Sequence, residues 1–179
     1  MSSSNAWLLE CDPALIVAVG DHEIVEYIQP QRCYSVPETP HYCNRVIAWQ
    51  NRLVPVMDLA LLTGIGSLQQ ELSFVCLLCY QLAPREALQY LALRINRTPQ
   101  KVAVDDSQVC ELADDDISPL LNSVTLCGFT HMQQAIAILD LGKLCSDEFR
   151  ETAQDSQGLT GQELLVEELV QVDSGRAQQ

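Results

Sequence analysis

The chain has 179 residues, with 24 Asp or Glu against 10 Lys or Arg, so its formal net charge is −14. This charge disfavours nucleic acid and anionic membranes as partners and suits a basic protein surface. The apolar content of 47% is enough for a core in one domain or in two small subdomains. No apolar run reaches the roughly 18 residues of a membrane helix, and the N-terminal segment lacks the pattern of a secretory signal. We therefore expect a cytoplasmic protein without direct membrane insertion.

The N-terminal part of the chain reads as short strands and a loop. Two apolar runs, Trp7 to Cys11 and Leu15 to Val19, flank a turn at Asp12-Pro13 and predict a hairpin. The apolar residues between positions 24 and 28 fall at helical spacing and predict a short helical turn. Residues 29–42 contain three prolines and are interpreted as a loop.

A second hairpin follows at residues 46–57. Val46 to Trp49 and Arg52 to Met57 are apolar runs, and Gln50-Asn51 between them fits a two-residue turn because Asn tolerates positive φ. Pro55 has no amide hydrogen and predicts an edge strand or a bulge. Asp58 is expected to cap a helical turn over residues 59–62, which Gly64 ends.

The second half of the chain continues with strand signals separated by short turns. The run at 74–80 predicts a fully apolar strand, whereas residues 88–97 alternate and predict a half-buried strand. Further strands are predicted at 101–105, 124–129 and 135–139, and Asp140 is expected to cap a turn over residues 141–144. Such closely spaced strands indicate small β-barrels rather than a parallel sheet. The run Asp114 to Asp116 is interpreted as a charged loop.

The composition changes at Ser146. From that point eight Asp or Glu and two Lys or Arg give −6 of the total charge. We therefore divide the chain into a domain at 1–145 and an acidic, partly disordered or helical tail at 146–179. An apolar cluster at 162–170, with Leu164, Leu165 and Leu169, forms the one amphipathic stretch of this tail.

The order of these segments resembles the CheW-like domain of bacterial chemotaxis coupling proteins. The matching segments are Val36-Pro37, the run from Val54 to Leu59 (VPVMDL), Val104-Asp105 with the residues up to Val109, Gly128-Phe129, and Ile138 to Leu141 (ILDL). The resemblance covers roughly residues 7 to 145. Order and spacing carry it, since no single motif is specific.

The resemblance implies a mainly β fold of two small five-stranded, SH3-like barrels packed around a shared core, without catalytic residues, cofactor or metal. It implies an adaptor that couples a chemoreceptor tip or another input to the regulatory domain of a CheA-type histidine kinase. The expected partner surface comprises Val36, Pro37, Trp49, Gln50, Asn51 and Arg52. Gln50 stands where the family commonly has a receptor-contacting arginine, so receptor binding of the usual kind is not implied. Trp49 is either a core aromatic or a partly exposed interface anchor.

Two alternatives of other kinds stay open. The cysteines of Cys76-Leu77-Leu78-Cys79, together with His41 and Cys43, are candidates for a thiol- or zinc-dependent enzyme. The first pair lies in an apolar strand, however, where residues three apart point to opposite faces. The other alternative is a degenerate family member that binds a different partner through its tail.

Overall fold

The computed structural model describes residues 3–30, 32–66, 74–113 and 117–156. Within these ranges the fold is mainly β and consists of two curled sheets, as predicted. The strands are β1 Ser3–Asp12, β2 Leu15–Gly20, β3 Ile24–Ile28, β4 Cys33–Ser35, β5 Arg45–Trp49, β6 Arg52–Met57, β7 Phe74–Tyr80, β8 Gln89–Ile95, β9 Gln100–Asp105, β10 Val109–Cys110, β11 Thr125–His131 and β12 Gln134–Leu139.

Short helical turns connect several of these strands. Those of α type are α1 Leu59–Leu62, α2 Pro119–Asn122 and α3 Leu141–Leu144, and 3₁₀ turns lie at His41–Cys43 and Asp106–Gln108. A longer helix, α4, covers residues 147–156. Among the described residues, no helix has the length and apolar character needed to cross a membrane.

The chain begins in one sheet, builds the whole of the other, and returns to the first. The first sheet has the strand order β10-β11-β12-β2-β1-β9 and the second has β3-β7-β8-β6-β5-β4. Each sheet therefore contains six strands, counting the very short β10 and β4, where the resemblance implied five. One parallel pair occurs in each sheet, β12 with β2 and β6 with β8, and the remaining pairs are antiparallel.

The core consists of three apolar clusters, one inside each sheet and one between the two sheets. Inside the first sheet lies a small cluster with Ala18 and Phe129, and inside the second lies another with Ile47 and Leu77. The largest cluster joins the two sheets, because alternate residues of β1 and β2 meet alternate residues of β7 and β8 there. A backbone hydrogen bond of 2.7 Å from Asn96 N to Glu10 O also links the sheets.

The hairpin and the capped turns form as the sequence predicts. Gln50 and Asn51 have φ of 45° and 62°, the left-handed pair of a type I′ turn. Leu61 N donates to Asp58 Oδ1 at 3.1 Å, and Lys143 N donates to Asp140 Oδ1 at 3.0 Å. Both aspartates therefore stabilise the first amides of a four-residue helix.

Three sequence-based assignments are wrong. Residues 24–28 form strand β3 instead of a helical turn, and a register shift lies between Ile24 and Glu26. The loop at 29–42 contains strand β4 and the 3₁₀ turn at 41–43. Strand β8 is buried on both faces from Leu91 to Ile95 instead of being half-buried, because the shared cluster covers one face and the interior of the second sheet covers the other.

Pro55 lies on an interior strand of the second sheet, not on an edge. Strand β6 has β5 on one side and β8 on the other. Its pairing with β8 begins only at Val56, one residue after the proline. The sheet therefore accommodates Pro55 where the β8 ladder has not yet started.

The start of the acidic tail packs on the domain. In α4, Phe149 is 5% exposed and Ala153 is fully buried, and both belong to the shared cluster. The apolar cluster expected at 162–170 and the Asp114 to Asp116 loop lie outside the described residues. The proposed division of the chain at residue 146 stays a prediction.

Candidate functional site

The end of the β5–β6 hairpin carries an aromatic and charged cluster. The Trp49 ring lies 5.2 Å from that of Tyr90 on β8, and Trp49 Nε1 donates to Glu26 Oε2 at 3.0 Å. The Arg52 guanidinium lies 5.3 Å from the Tyr90 ring centroid, within cation–π range. Four strands, β3, β5, β6 and β8, thus contribute the side chains of this cluster.

Trp49 combines features of both interpretations made from the sequence. It packs against the apolar cluster inside the second sheet, yet it remains only partly buried. Its polar Nε1 is satisfied by Glu26 while part of the ring faces solvent, an arrangement that suits an interface anchor. Sequence reasoning missed Glu26 and Tyr90 as its partners, since strand pairing alone brings them together.

The predicted surface residues lie in two separate places. Trp49 to Arg52 form one end of the hairpin, with Gln50, Asn51 and Arg52 exposed. Val36 and Pro37 follow β4 and lie at the opposite end of β5, where Val36 N donates to Asn44 O at 2.8 Å. Since β5 has five residues, the two places are about 13 Å apart along the strand. The structure does not bring them into one patch.

A groove lies between the second sheet and the helices that follow β12. Its volume is about 300 Å³, and its walls include Met57, Tyr80, Leu91, Leu144 and Phe149. Most of the lining is apolar, and several of the wall residues also belong to the shared cluster. A groove of this size and character can take apolar side chains of a peptide or a neighbouring protein.

Among the ionisable groups that line this groove, two thiols and a phenol have pKa values raised by burial and stay neutral. Burial raises the pKa of Cys43, burial raises the pKa of Cys145 to about 11, and burial together with the nearby Cys145 raises the pKa of Tyr80. At neutral pH Cys43 and Cys145 are therefore thiols rather than thiolates, which makes these cysteines poor nucleophiles.

The residues of the enzyme alternative are not assembled into a site. Cys76 lies in the shared cluster and Cys79 on the opposite face of β7, where its thiol donates to His22 O at 3.5 Å. Burial raises the pKa of Cys76 to about 12 and also raises the pKa of Cys79. Within the described ranges, no group of three or more His, Cys, Asp and Glu side chains could hold a metal ion. His41 and Cys43 lie on the 3₁₀ turn, in a different element from the pair.

A buried arginine lies beside the groove, at the junction of the two sheets. Arg94 on β8 is 6% exposed, and its Nη1 lies 3.5 Å from Asp58 Oδ2. It also donates to Cys11 O at 3.4 Å and to Asn96 Oδ1 at 3.1 Å. Asp58, which directly follows the β5–β6 hairpin, thus pairs with Arg94 and also caps α1. Its carboxylate therefore links a helix to the junction of the two sheets. The alternation in the sequence placed Arg94 on the face opposite Leu93 but did not reveal that this face is covered.

The comparisons with known proteins agree with this architecture. The family model described as CheW-like domain matches residues 10–149. The chain is similar in structure to the scaffolding protein TtCheW from Thermoanaerobacter tengcongensis, with a TM-score of 0.64 and 14% sequence identity over 82% of this chain and 90% of that chain. No curated protein sequence matches this chain significantly.

Proposed function

The chain belongs to the CheW-like domain family, and from this premise we propose that it is an adaptor that couples an input to a CheA-type histidine kinase. Family and fold support a scaffold in signalling of the chemotaxis type. The match over residues 10–149 carries the proposal, because it covers both sheets and the junction between them. The adaptor works through protein contacts in the cytoplasm and catalyses no reaction.

The kinase regulatory domain is the partner that we propose for the hairpin end. Trp49, Tyr90 and Arg52 supply an aromatic pair and an exposed cation, residue types that dominate binding energy at protein interfaces. The cluster is held by β3, β5, β6 and β8, so binding costs little ordering of side chains. Val36 and Pro37, at the other end of β5, belong to a second contact.

A chemoreceptor tip is the proposed input, with a contact that differs from the family's common one. Gln50 is exposed at the hairpin turn and can donate and accept hydrogen bonds, but it carries no charge. Without a cation at this position, the chain cannot form a salt bridge from Gln50 to an acidic partner residue. We therefore expect the kinase contact to be the stronger of the two.

The test is a calorimetric titration of the full chain against the regulatory domain of each CheA-type kinase of the same cell. We expect micromolar binding to one of them. Arg52→Glu should weaken it about fivefold or more, because the substitution reverses a charge beside the aromatic pair. Arg97→Glu is the matched control. Its side chain is 77% exposed, it makes the same charge change, and it lies seven residues after Tyr90, beyond the end of β8. Because Arg97 Nε lies 3.3 Å from Glu10 Oε1, thermal unfolding must show that this control variant keeps its fold.

The two parts of the proposal fail in different ways. Equal affinity of Arg52→Glu and the unsubstituted chain would reject the hairpin surface while leaving the adaptor function intact. Absence of binding to every regulatory domain, with the chain shown to be folded, would reject the kinase as partner.

A further inference from the structure

We propose that a small cavity at one end of the second sheet binds a single monovalent anion of halide size, with chloride as the physiological ligand. The cavity lies between the 3₁₀ turn at His41–Cys43, the start of β5, the end of β6 and Arg94 on β8. It is a separate cavity from the apolar groove beside α4, although Tyr42 borders both. Binding of an anion there does not depend on the kinase partner.

Arg94 supplies a buried donor that lacks an acceptor. Its Nη1 lies near Asp58 Oδ2 and Cys11 O, at 3.5 Å and 3.4 Å, and its Nη2 donates to Asn96 Oδ1 at 3.1 Å. Its Nε is buried and has no hydrogen-bond partner among the described residues. Native proteins rarely leave a buried charged donor unsatisfied, and an ion or a water molecule commonly supplies the acceptor. Since Arg94 is 6% exposed and lines the cavity, Nε indicates an acceptor placed there.

The charges around the cavity favour an anion as this acceptor. Arg94 and Arg45 each contribute a guanidinium to the wall, and Asp58 contributes the acidic group among the described lining residues. The Asp58 carboxylate already accepts from Leu61 N at 3.1 Å and pairs with Arg94. No ion pair of Arg45 with Asp or Glu occurs among the described residues. Two cations therefore face one carboxylate, a local positive charge in a chain whose net charge is −14.

Two uncharged donors add to these cations. Asn44 has a side-chain amide and His41 has a ring N–H, and both residues border the cavity. Asn44 is partly buried, whereas His41 is exposed and places one side of the cavity next to solvent. An anion can therefore enter beside His41 without rearrangement of the core.

The size of the cavity limits which anion fits. Its volume is about 20 Å³, and one water molecule needs about 10–15 Å³ of such space. The cavity therefore has room for one water-sized particle and excludes phosphate, sulfate and the carboxylate side chain of a partner. Chloride has the required charge and approximate size. Guanidinium groups suit such a buried ion because they are weakly hydrated and form charge-assisted hydrogen bonds.

A bound anion would link two strands that do not pair with each other. Arg45 is the first residue of β5 and Arg94 lies on β8, with β6 between them. An ion that contacts both guanidinium groups holds the start of the β5–β6 hairpin against the junction of the two sheets. Because the unfolded chain does not assemble this site, the ion should stabilise the folded chain according to its concentration.

Urea unfolding at fixed ionic strength tests this, with gluconate, an anion too large for the cavity, replaced stepwise by chloride. Between about 1 mM and about 300 mM chloride, the ratio of folded to unfolded chain should rise about fivefold or more, which corresponds to a dissociation constant of about 70 mM or lower. Arg45→Gln removes one cation from the wall and should abolish this rise. Arg32→Gln is the matched control, because it makes the same charge change at an exposed residue that does not line the cavity.

Bromide provides a second measurement that needs no variant. Crystals of the unsubstituted chain grown with bromide should show anomalous scattering in the cavity, next to Arg94 Nε and Arg45. This signal, together with a chloride dependence that only Arg45→Gln loses, supports the site.

Three results would overturn the anion site. One is a rise of less than about fivefold in the unsubstituted chain. Another is an equal rise in all three chains, which would be a general salt effect. The third is density in the cavity without anomalous signal, which would assign the place to water. If Arg45→Gln does not fold, the bromide signal decides.

Discussion

Replacement of Arg94 by Met should destabilise the fold strongly, although it exchanges a charged side chain for an apolar one of similar length at a buried position. The substitution leaves Asp58 without its cationic partner, and the Asp58 side chain is only 13% exposed. A carboxylate that loses its partner in such a place cannot recover its hydration without rearrangement of the surrounding chain.

The contact geometry sets the expected magnitude. Removal of one partner of a buried ion pair costs about 3–5 kcal/mol. The Arg94–Asp58 separation of 3.5 Å and the 3.4 Å contact to Cys11 O are long, and Arg94 Nε has no partner among the described residues. Asp58 also keeps the hydrogen bond from Leu61 N. We therefore expect the lower end, about 3 kcal/mol, equivalent to a fall in Tm of roughly 6–12 °C for a chain of this size.

A double-mutant cycle separates the pair from its surroundings. Asp58→Asn is the second substitution, because Asn caps a helix about as well as Asp and leaves the α1 amide satisfied. Urea unfolding followed by fluorescence gives the free energy of unfolding of the four proteins. The doubly substituted chain should be more stable than the sum of the two single losses implies, by about 1 kcal/mol or more, because neither charge is then left alone.

Two results would refute this reasoning. One is a loss below about 1 kcal/mol for Arg94→Met, which would mean that solvent reaches Asp58 freely. The other is strict additivity in the cycle, which would show that the two side chains stabilise the fold independently of each other.

Two further predictions concern packing and pH. Gly128→Ala should lower the free energy of unfolding by about 1–3 kcal/mol, because the added Cβ would lie 2.9 Å from the backbone oxygen of Cys110. Gly142→Ala is the control: its Cβ would have contacts of 3.3 Å or more, so stability should change by less than about 1 kcal/mol. Urea unfolding of both variants tests this prediction. Stability should also fall between about pH 9 and pH 12, since burial raises the pKa of Cys76 from 9.0 to about 12 and the unfolded thiol therefore ionises first. Cys76→Ala should flatten the decline measured by unfolding at pH 8, 9 and 10, and an unchanged slope would contradict that origin.

The parts of the fold that depend on local chemistry could be predicted from the sequence. The turn at Gln50-Asn51 follows from the tolerance of Asn for positive φ, and both capped helices follow from a single aspartate before an apolar run. Strand β3 could not be predicted in this way. The bulge between Ile24 and Glu26 interrupts the period of two, and the remaining apolar spacing imitates a helix.

Burial that depends on segments distant in the chain could also not be predicted from the sequence. The alternation in β8 correctly places Leu91, Leu93 and Ile95 on one face. Arg94 on the other face would be expected to contact solvent, because the sequence does not show that Asp58 packs against it. The same holds for the Trp49 cluster, in which Glu26 lies 23 positions away and Tyr90 lies on another strand. Non-local strand pairing decides both sites, and one sequence carries no direct signal of it.

The return of the chain to its first sheet affects how the protein folds during synthesis. Strand β2 must pair with β12, and the paired residues Val17 and Ala137 are 120 positions apart. A ribosome that adds about 5–20 residues per second needs roughly 6–24 s to cover that distance. During this interval the β2 edge of the nascent β1–β2 hairpin stays unpaired, and the β1 edge stays unpaired until β9 has been made. The second sheet, whose strands are contiguous in the chain, can close before the first, so the order of folding runs from the middle of the sequence outward.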